Sequence, residues 1–365
     1  MRVLLINTVC GIGSTGRICL DIADSFSLQG HEVKIAYGRG NPSENSLKYA
    51  YKIGSNMDQR IHGLQTRILD KHGLGSESAT KAFLKWANDF NPDLLWLHNL
   101  HGYFINYKLL FAWIKRRPNM QVRWTLHDCW SFTGHCVYFT AVNCEKWKTT
   151  CQNCIQKKTY PTSLMLDRSY QNFEEKKEAF TGVKNLQLIT PSNWLAELVK
   201  ESFMREYPVE VRHNKIDLSV FHPTKSNFRE RYDLQKKKVL LGVAAEWDER
   251  KGFQDFIKLA SEIDERYAIV LVGVTSKQKE LLPHNVIGIK HTSSVSELVE
   301  IYSAADVLFN PTYEDNYPTV NLEAEACGTR VITYNTGGAP ETLRRSDSVV
   351  IPVGQYQLIT KYMEE

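Results

Sequence analysis

The sequence lacks the features that mark membrane-spanning and secreted chains. No apolar run in its 365 residues approaches the ~20 residues that a membrane-spanning helix needs. The apolar stretch after Met1 is too short for the core of a secretory signal. We therefore interpret it as a first buried strand and expect the protein to reside in the cytoplasm. No internal repeat or low-complexity tract occurs either.

An excess of charge of one sign is also missing. The net charge is +4 and the pI is near 8.5, which does not indicate a dedicated nucleic-acid-binding protein. The basic clusters are short: Lys115–Arg117, Lys157–Lys158 and Lys236–Lys238. They are either solvated helix ends and loops, or they attract the chain weakly to an anionic membrane surface or a phosphorylated substrate.

A disulfide framework is not expected in a cytoplasmic chain, although the sequence has eight cysteines. Four of them crowd into one short segment with the spacing C-x7-C-x6-C-x2-C: Cys136, Cys144, Cys151 and Cys154. Four thiolates suit a tetrahedral structural zinc, and the few apolar residues around them argue against a packed core. The alternatives are reduced free thiols or a disulfide formed during preparation. A zinc held by four cysteines would have no open position for catalysis.

Hydrophobic residues make up 42% of the chain and charged residues 24%, which is typical of a globular protein whose length favours two domains. Short apolar strands alternate with amphipathic helices, and this pattern starts afresh after a polar stretch. The predicted fold is α/β with two doubly wound Rossmann-like domains that face each other across a cleft. The predicted boundaries are 1–213 with a Cys-rich insert at about 129–160, a linker at 214–238, and 239–365.

The predicted strands are Val3–Ile6, Glu32–Tyr37, Leu94–Leu97, Val122–Leu126, Gln187–Ile189, Val239–Val243, Ala268–Val272, Val307–Asn310, Arg330–Thr333 and Val349–Ile351. The predicted helices are Ile18–Leu28, Thr80–Phe90, Tyr107–Arg116, Tyr170–Phe180, Phe253–Glu262, Ser296–Ala304 and Val320–Cys327. Ligands of open α/β sheets bind outside the carboxyl ends of the strands. The loops after the strands are therefore where we expect the functional residues.

Two of these loops suit an anionic ligand. After the first strand, a glycine-rich turn precedes a helix and places Gly13, Ser14 and Gly16 where the backbone can approach an anion closely. Its spacing does not fit the dinucleotide fingerprint, so the alternative is a tight turn only. In the second half, Arg250 and Lys251 come directly before a helix and suit a diphosphate. The alternative there is an exposed basic helix start.

Polar residues at two other places suit sugars. Asp315, Asn316 and Tyr317 follow one strand, and Glu323 lies in the helix after it. Carboxylates accept hydrogen bonds from adjacent sugar hydroxyls, whereas the helix dipole alone would not explain an acid as deep in the helix as Glu323. In the first half, imidazole, amide and carboxylate groups follow two strands: His98, Asn99, His101, His127 and Asp128. The first three are acceptor contacts or turn residues, and Asp128 either orients the ring of His127 or binds the acceptor. His127 could act as a base if its pKa were near the working pH.

The segment over residues 310–332 resembles the acid-x7-acid signature of the retaining GT-B glycosyltransferases of family 4, in the bacterial branch typified by colanic-acid and O-antigen enzymes. It reads NPTYEDNYPTVNLEAEACGTRVI. Asp315 stands where the family usually has its first Glu, and Glu323 matches the second. In the family these residues hold the hydroxyls of the donor sugar and the ribose. Asn316–Pro318 stands where many members have Gly-Phe-Gly.

The resemblance extends over nearly the whole chain. Lys251-Gly252 matches the diphosphate-binding Lys-Gly of the family, and His127 matches a His that contacts the donor sugar. Glu246 replaces the usual Arg, so Arg250 is the candidate for the second cation. Further similar motifs lie at Asn7–Arg17, Leu97–Gly102, Thr125–Gly134, Thr190–Trp194 and Asn214–Pro223.

The resemblance implies transfer of a hexose-type unit, with retention, from a UDP- or GDP-sugar to a hydroxyl of a glycan or lipid-linked glycan, in cell-surface polysaccharide biosynthesis. Its catalytic residues would be His127, Lys251 and Asp315. No catalytic metal is expected, because Lys251, Arg250 and helix N-termini would stabilise the charge on the leaving diphosphate. The alternatives are another GT-B enzyme such as a sugar-nucleotide epimerase, or a non-catalytic sugar-nucleotide-binding protein.

Overall fold

The computed structural model describes residues 1–364. The chain divides into two compact units, of which the first is Met1–His213 and the second begins at Asn214. Each unit is an all-parallel sheet covered by helices, as expected where strands are continuous apolar runs buried on both faces. The α/β class predicted from the sequence is confirmed.

The N-terminal unit contains a seven-stranded sheet in the order β3-β2-β1-β4-β5-β6-β7. Its strands are β1 (Arg2–Asn7), β2 (Glu32–Tyr37), β3 (Ala50–Lys52), β4 (Leu94–Leu97), β5 (Gln121–Thr125), β6 (Leu186–Thr190) and β7 (Val209–Val211). Its helices are α1 (Gly13–Leu28), α2 (Asn56–Leu69), α3 (Glu77–Phe90), α4 (Tyr107–Lys115), α5 (Ser169–Phe180) and α6 (Asn193–Glu201).

The C-terminal unit contains a six-stranded sheet in the order β10-β9-β8-β11-β12-β13. Its strands are β8 (Lys238–Val243), β9 (Tyr267–Val272), β10 (Val286–Ile289), β11 (Val307–Asn310), β12 (Arg330–Tyr334) and β13 (Val349–Ile351). Its helices are α7 (Phe228–Arg231), α8 (Phe253–Glu262), α9 (Ser276–Glu280), α10 (Val295–Ala304), α11 (Thr319–Ala326) and α12 (Leu358–Glu364).

Each sheet has one point at which the strand order reverses. In the first sheet β1 lies beside β4, and in the second β8 lies beside β11. The loops that leave two such strands turn to opposite faces of the sheet and open a crevice, which is where doubly wound folds bind ligands. The loops after β1, β4, β8 and β11 contain most of the residues that the sequence singles out.

Several elements differ from the prediction. The first helix starts at Gly13 and not at Ile18, because its first turn consists of Gly, Ser and Thr, which are weak helix formers. The helix α2 was not predicted. The stretch 214–238 packs onto the second unit: Phe221 and Phe228 are buried, and Arg229 pairs with Asp306 at 2.6 Å.

The Cys-rich insert has a small aromatic core, so the expectation that it would lack one was wrong. Phe132, Phe139 and Trp147 are buried, and the rings of Phe139 and Trp147 stack with their centroids 4.7 Å apart. Three well-placed aromatic rings bury more apolar surface than the low count of apolar residues indicated. Among the helices of residues 1–364, none has the length and apolarity needed to span a bilayer.

Candidate active site

The site in the C-terminal unit is built around an ion pair between Lys251 and Asp315. Lys251 Nζ lies 2.5 Å from Asp315 Oδ2. Lys251 precedes α8, and Asp315 lies in the loop after β11. The pair therefore lies where the strand order of the second sheet reverses.

Gly252 lets these two loops approach each other. Its φ is +74°, and a Cβ at this position would lie only 2.2 Å from the carbonyl oxygen of Pro311. Any other residue would push the loops apart. Two hydrogen bonds then join the loops: Arg250 Nη1 donates to the Glu314 carbonyl at 2.8 Å, and the Tyr313 N–H donates to the Arg250 carbonyl at 2.7 Å.

Asp315 is held as a carboxylate. Burial by itself raises the pKa of this carboxyl, but the positive charges of Lys251 and Arg250 outweigh burial and lower the pKa below its ordinary value. Two cations and one carboxylate therefore meet at one place. The two cations can neutralise a diphosphate, and the carboxylate can accept hydrogen bonds from sugar hydroxyls.

The turn after β12 supports Asp315 from the other side, and the sequence did not reveal it. The Gly338 N–H donates to the Asp315 carbonyl at 3.1 Å. Gly337 has a φ of +54°, and a Cβ there would lie 2.0 Å from the same carbonyl oxygen. The available signal was a Gly-Gly pair that begins four residues after the end of a predicted strand.

The other predicted donor contacts of this unit are buried and make further hydrogen bonds. Glu323 lies in the second turn of α11 and accepts a hydrogen bond from the Tyr302 hydroxyl at 2.9 Å. The Tyr317 hydroxyl accepts from Arg344 at 2.7 Å. Asn316 is buried beside Asp315. The structure thus brings Arg250, Lys251 and Asp315 together most directly.

In the N-terminal unit, the loops after β4 and β5 bring two histidines together. His98 Nδ1 lies 3.1 Å from His127 Nε2, and the His98 Nε2 atom has no hydrogen-bond partner among the described residues. Burial lowers the pKa of His127 to about 4, although the charge of Asp128 opposes this shift. His127 is therefore neutral near pH 7 and suits a hydrogen-bonding role.

The same two loops form a second pair, His101 and Asp128. His101 Nε2 lies 2.7 Å from Asp128 Oδ2, and the Trp130 N–H donates to Asp128 Oδ1 at 2.9 Å. His101 Nδ1 lies 3.1 Å from the hydroxyl of Tyr160. Tyr160 belongs to the end of the insert and lies far from His101 in the chain, so no local pattern predicted this contact. Asn99 donates its N–H to Asn7 Oδ1 at 3.3 Å.

The predicted residues of the glycine-rich turn fall into two groups. Gly16 is buried inside α1, and its carbonyl accepts a hydrogen bond from the Gly11 N–H at 3.2 Å. Gly13 and Ser14 are exposed at the start of α1, which has no side-chain N-cap. Packing therefore accounts for Gly16, while the contact of Gly13 and Ser14 with a donor stays a prediction.

The four clustered cysteines line one small cavity together with His135 and Trp147. The Gly134 N–H donates to Cys151 Sγ at 3.2 Å. Within residues 1–364, no three His, Cys, Asp or Glu side chains are arranged to hold a metal ion. Zinc at this cluster stays a prediction.

The two doubly wound units, with their all-parallel sheets of seven and six strands, have the GT-B fold of glycosyltransferases. Residues 224–365 match the family Glycosyl transferases group 1. The match covers the greater part of the C-terminal unit, so this chain is similar to group 1 glycosyltransferases.

Three known proteins illustrate the likeness. The putative colanic acid biosynthesis glycosyl transferase WcaC of Escherichia coli is 24% identical over 358 residues, which cover 95% of this chain and 86% of that protein. The N,N'-diacetylbacillosaminyl-diphospho-undecaprenol alpha-1,3-N-acetylgalactosaminyltransferase of Campylobacter jejuni is 24% identical over 44% of this chain and 41% of its own length. The structure of Anabaena HepE in complex with UDP-glucose superimposes with a TM-score of 0.65 at 14% identity, covering 100% of this chain and 89% of HepE.

Proposed function

We propose that this chain is a retaining hexosyltransferase of family 4 that acts in cell-surface polysaccharide biosynthesis. It transfers a sugar from a UDP- or GDP-sugar to a hydroxyl of a glycan or lipid-linked glycan acceptor. The observation that carries the proposal is the contact between Lys251 and Asp315, with Arg250 beside them, at the strand-order reversal of the second sheet.

Lys251, Arg250 and Asp315 each have a role in the proposed binding of the donor. Without a donor, Lys251 and Asp315 neutralise each other. When a nucleotide-sugar binds, the ammonium of Lys251 and the guanidinium of Arg250 bind the diphosphate oxygens, and the Asp315 carboxylate accepts hydrogen bonds from the sugar. Cations fixed before the reaction stabilise the charge that develops on the leaving diphosphate, which is usually the largest catalytic contribution.

The bond changes of the proposed step are balanced. The bond between the anomeric carbon and the diphosphate oxygen breaks, and the acceptor oxygen forms a bond to the same face of that carbon. The leaving phosphate oxygen takes the proton of the acceptor hydroxyl, so no separate base is required. We propose no catalytic metal for this step, because Lys251 and Arg250 supply the positive charge.

The N-terminal unit supplies the proposed contacts to the acceptor. His101 and Asp128 are fixed by each other and by Tyr160, so they can hold an acceptor hydroxyl in one orientation. His127 is neutral near pH 7 and is proposed to contact the donor sugar. The UDP-glucose in the HepE complex favours a UDP-sugar donor, and the names of the two relatives favour a glycan or lipid-linked glycan acceptor.

Turnover with and without an acceptor tests this function. The chain is incubated with UDP- and GDP-sugars, free nucleotide is measured, and the anomeric configuration of the product is determined by NMR. We expect nucleotide release that depends on the acceptor, and a product with retained configuration. Release without any acceptor, or an inverted product, would contradict the proposal.

Asp315→Asn is the matching variant, because it keeps the shape of the side chain and removes its charge. We expect turnover to fall by about 10²-fold or more, the usual loss when one preorganised polar contact is removed. Asp233→Asn is the control, since Asp233 is exposed and has a φ of +54° that Asn tolerates well. Equal activity of the two variants would remove Asp315 from the site.

A further inference from the structure

The helix α2 is amphipathic in the reverse sense. Its apolar side chains Met57, Ile61, Leu64 and Ile68 are 60%, 51%, 58% and 36% exposed, whereas His62 and Thr66 are fully buried. These four apolar residues recur at helical spacing and form one stripe. Helices of globular proteins normally turn such a stripe towards the core, so this exposed stripe needs an explanation.

Hydrogen bonds fix α2 in this orientation. The buried ring of His62 accepts at Nε2 from the N–H groups of Gly73 and Gly75, at 3.1 and 3.2 Å. Its Nδ1 lies 2.9 Å from the Ser76 hydroxyl. The helix begins with a capping box between Ser55 and Asp58. Rotating the apolar stripe inward would leave these polar groups without partners, at a cost for each of them.

A second exposed apolar segment runs beside the end of α2. Leu164, Met165 and Leu166 are 64%, 65% and 49% exposed. The Leu164 N–H donates to the carbonyl of Arg67 at 2.7 Å, and the Leu166 N–H donates to the carbonyl of Ile68 at 3.3 Å. We call these seven side chains the apolar patch: Met57, Ile61, Leu64, Ile68, Leu164, Met165 and Leu166.

Positive charges accompany the apolar patch. Arg60 and Arg67 are exposed on α2. Lys157 Nζ donates to the carbonyl of Met165 at 3.1 Å, and the exposed Lys158 follows it in the chain. The single acid of α2, Asp58, is bound by the hydroxyl and N–H of Ser55. Asp167, which follows the patch, accepts from the N–H groups of Cys154 and Ser169, and Glu77 is the exposed acid at the start of α3. The apolar stripe is thus flanked mainly by cations.

The patch also adjoins the proposed acceptor contacts within the same unit. Three residues after the end of α2, the buried ring of His72 packs against His101 and Tyr160, with centroid distances of 5.9 and 5.6 Å. His101 is the partner of Asp128. Docking of the apolar patch onto a bilayer would therefore bring the acceptor contacts close to the lipid headgroups.

We propose that the apolar patch docks the N-terminal unit onto an anionic lipid bilayer. Its aliphatic side chains would enter the headgroup–acyl boundary, and Arg60, Arg67 and the two lysines would bind anionic headgroups, as in interfacial helices. The choice of a membrane over a protein partner rests on the proposed function, because a lipid-linked acceptor is presented at such a surface.

Flotation of the full chain with vesicles tests this surface. The probes are vesicles of phosphatidylethanolamine with phosphatidylglycerol, and vesicles of phosphatidylcholine alone. We expect binding to the anionic vesicles that weakens with salt, and little binding to the neutral ones. The double variant Ile61→Ser/Leu64→Ser should bind at least about tenfold more weakly, from the apolar area it loses, and Leu281→Ser is the control because Leu281 is 72% exposed in the other unit.

The outcomes separate this surface from the proposed function. Equal binding of wild type and double variant, or no binding of wild type to anionic vesicles, would overturn the docking surface. So would light scattering that shows self-association in the wild type and its loss in the variant, since the patch would then join two copies. The variant should keep wild-type activity on a short acceptor without a lipid tail. If the wild type binds anionic vesicles but turns over no sugar-nucleotide, the proposed function fails and the docking surface stands.

Discussion

Gly337 offers a test of the site that changes no charged or polar side chain. Its φ of +54° alone would make Ala cost about 1–2 kcal/mol, the usual penalty of a left-handed residue with a Cβ. The added Cβ would also lie 2.0 Å from the Asp315 carbonyl oxygen and 3.1 Å from its carbonyl carbon. Both neighbours are backbone atoms, so Gly337→Ala must move the Asp315 loop by about 1 Å to restore van der Waals distances.

A displacement of about 1 Å in a positioned group can lower the rate by ~10²-fold. We therefore expect Gly337→Ala to lower kcat/KM for the sugar-nucleotide by about that factor, which corresponds to about 2.7 kcal/mol. The assay is acceptor-dependent nucleotide release, with circular dichroism and the melting temperature measured on the same sample.

The matched control is Gly354→Ala. Gly354 has a φ of +79°, and nothing lies within 4 Å of a Cβ built there. It carries the same kind of backbone penalty without touching Asp315. We expect it to lower the melting temperature modestly and to leave kcat/KM unchanged. If both variants were equally active, Asp315 would not depend on its support by the β12 turn, and the reasoning about the site geometry would be refuted.

Three further predictions concern the N-terminal unit. Protein purified without added metal should contain about one zinc per chain by mass spectrometry, and Cys151→Ser should lose it; a chain free of zinc would leave the cysteines as thiols. His101→Ala should raise the KM for the acceptor about tenfold and leave the Kd of the donor unchanged, whereas an equal effect on both would remove His101 from the acceptor site. The melting temperature should fall as the pH is lowered from 7 to 5. Burial lowers the pKa of several histidines below the unfolded value of 6.5, and that of His62 and His127 to about 4. Stability from such groups is present above the unfolded pKa and is lost as the pH falls towards the folded pKa. His72→Phe should make the melting temperature depend less on pH, and a wild-type melting temperature that does not change with pH would contradict this prediction.

Strands were the elements that the sequence predicted best. Runs such as Leu94–Leu97 and Val307–Asn310 are apolar at every or nearly every position because both faces of a parallel sheet are buried. The edge strands β3 and β7 have three residues each and a half-exposed pattern, which leaves little signal. The helix α2 was missed although its apolar residues recur at helical spacing. The exposure of those residues could not be predicted, because the sequence does not show which side of a helix faces the core.

The candidate site, like the fold, was predicted only in part. Lys251 and Asp315 could be predicted because each lies in a recognisable motif after a strand. Their contact, and the support that Gly337 gives to Asp315, depend on how separate loops pack and leave no local pattern. The same holds for Tyr160, which meets His101 only through the path of the insert.

The central claim is that the C-terminal unit binds a nucleotide diphosphate through Lys251 and Arg250. Calorimetric titration with UDP, UMP and uridine, or with the guanosine series if the donor is a GDP-sugar, tests it most directly. The wild type should bind the diphosphate most tightly. Lys251→Ala should weaken that binding by about tenfold or more and should reduce the difference in affinity between the diphosphate and the nucleoside. The control is Lys277→Ala, at an exposed position on α9, which should bind like the wild type. Unchanged diphosphate binding in a folded Lys251→Ala variant would contradict the account.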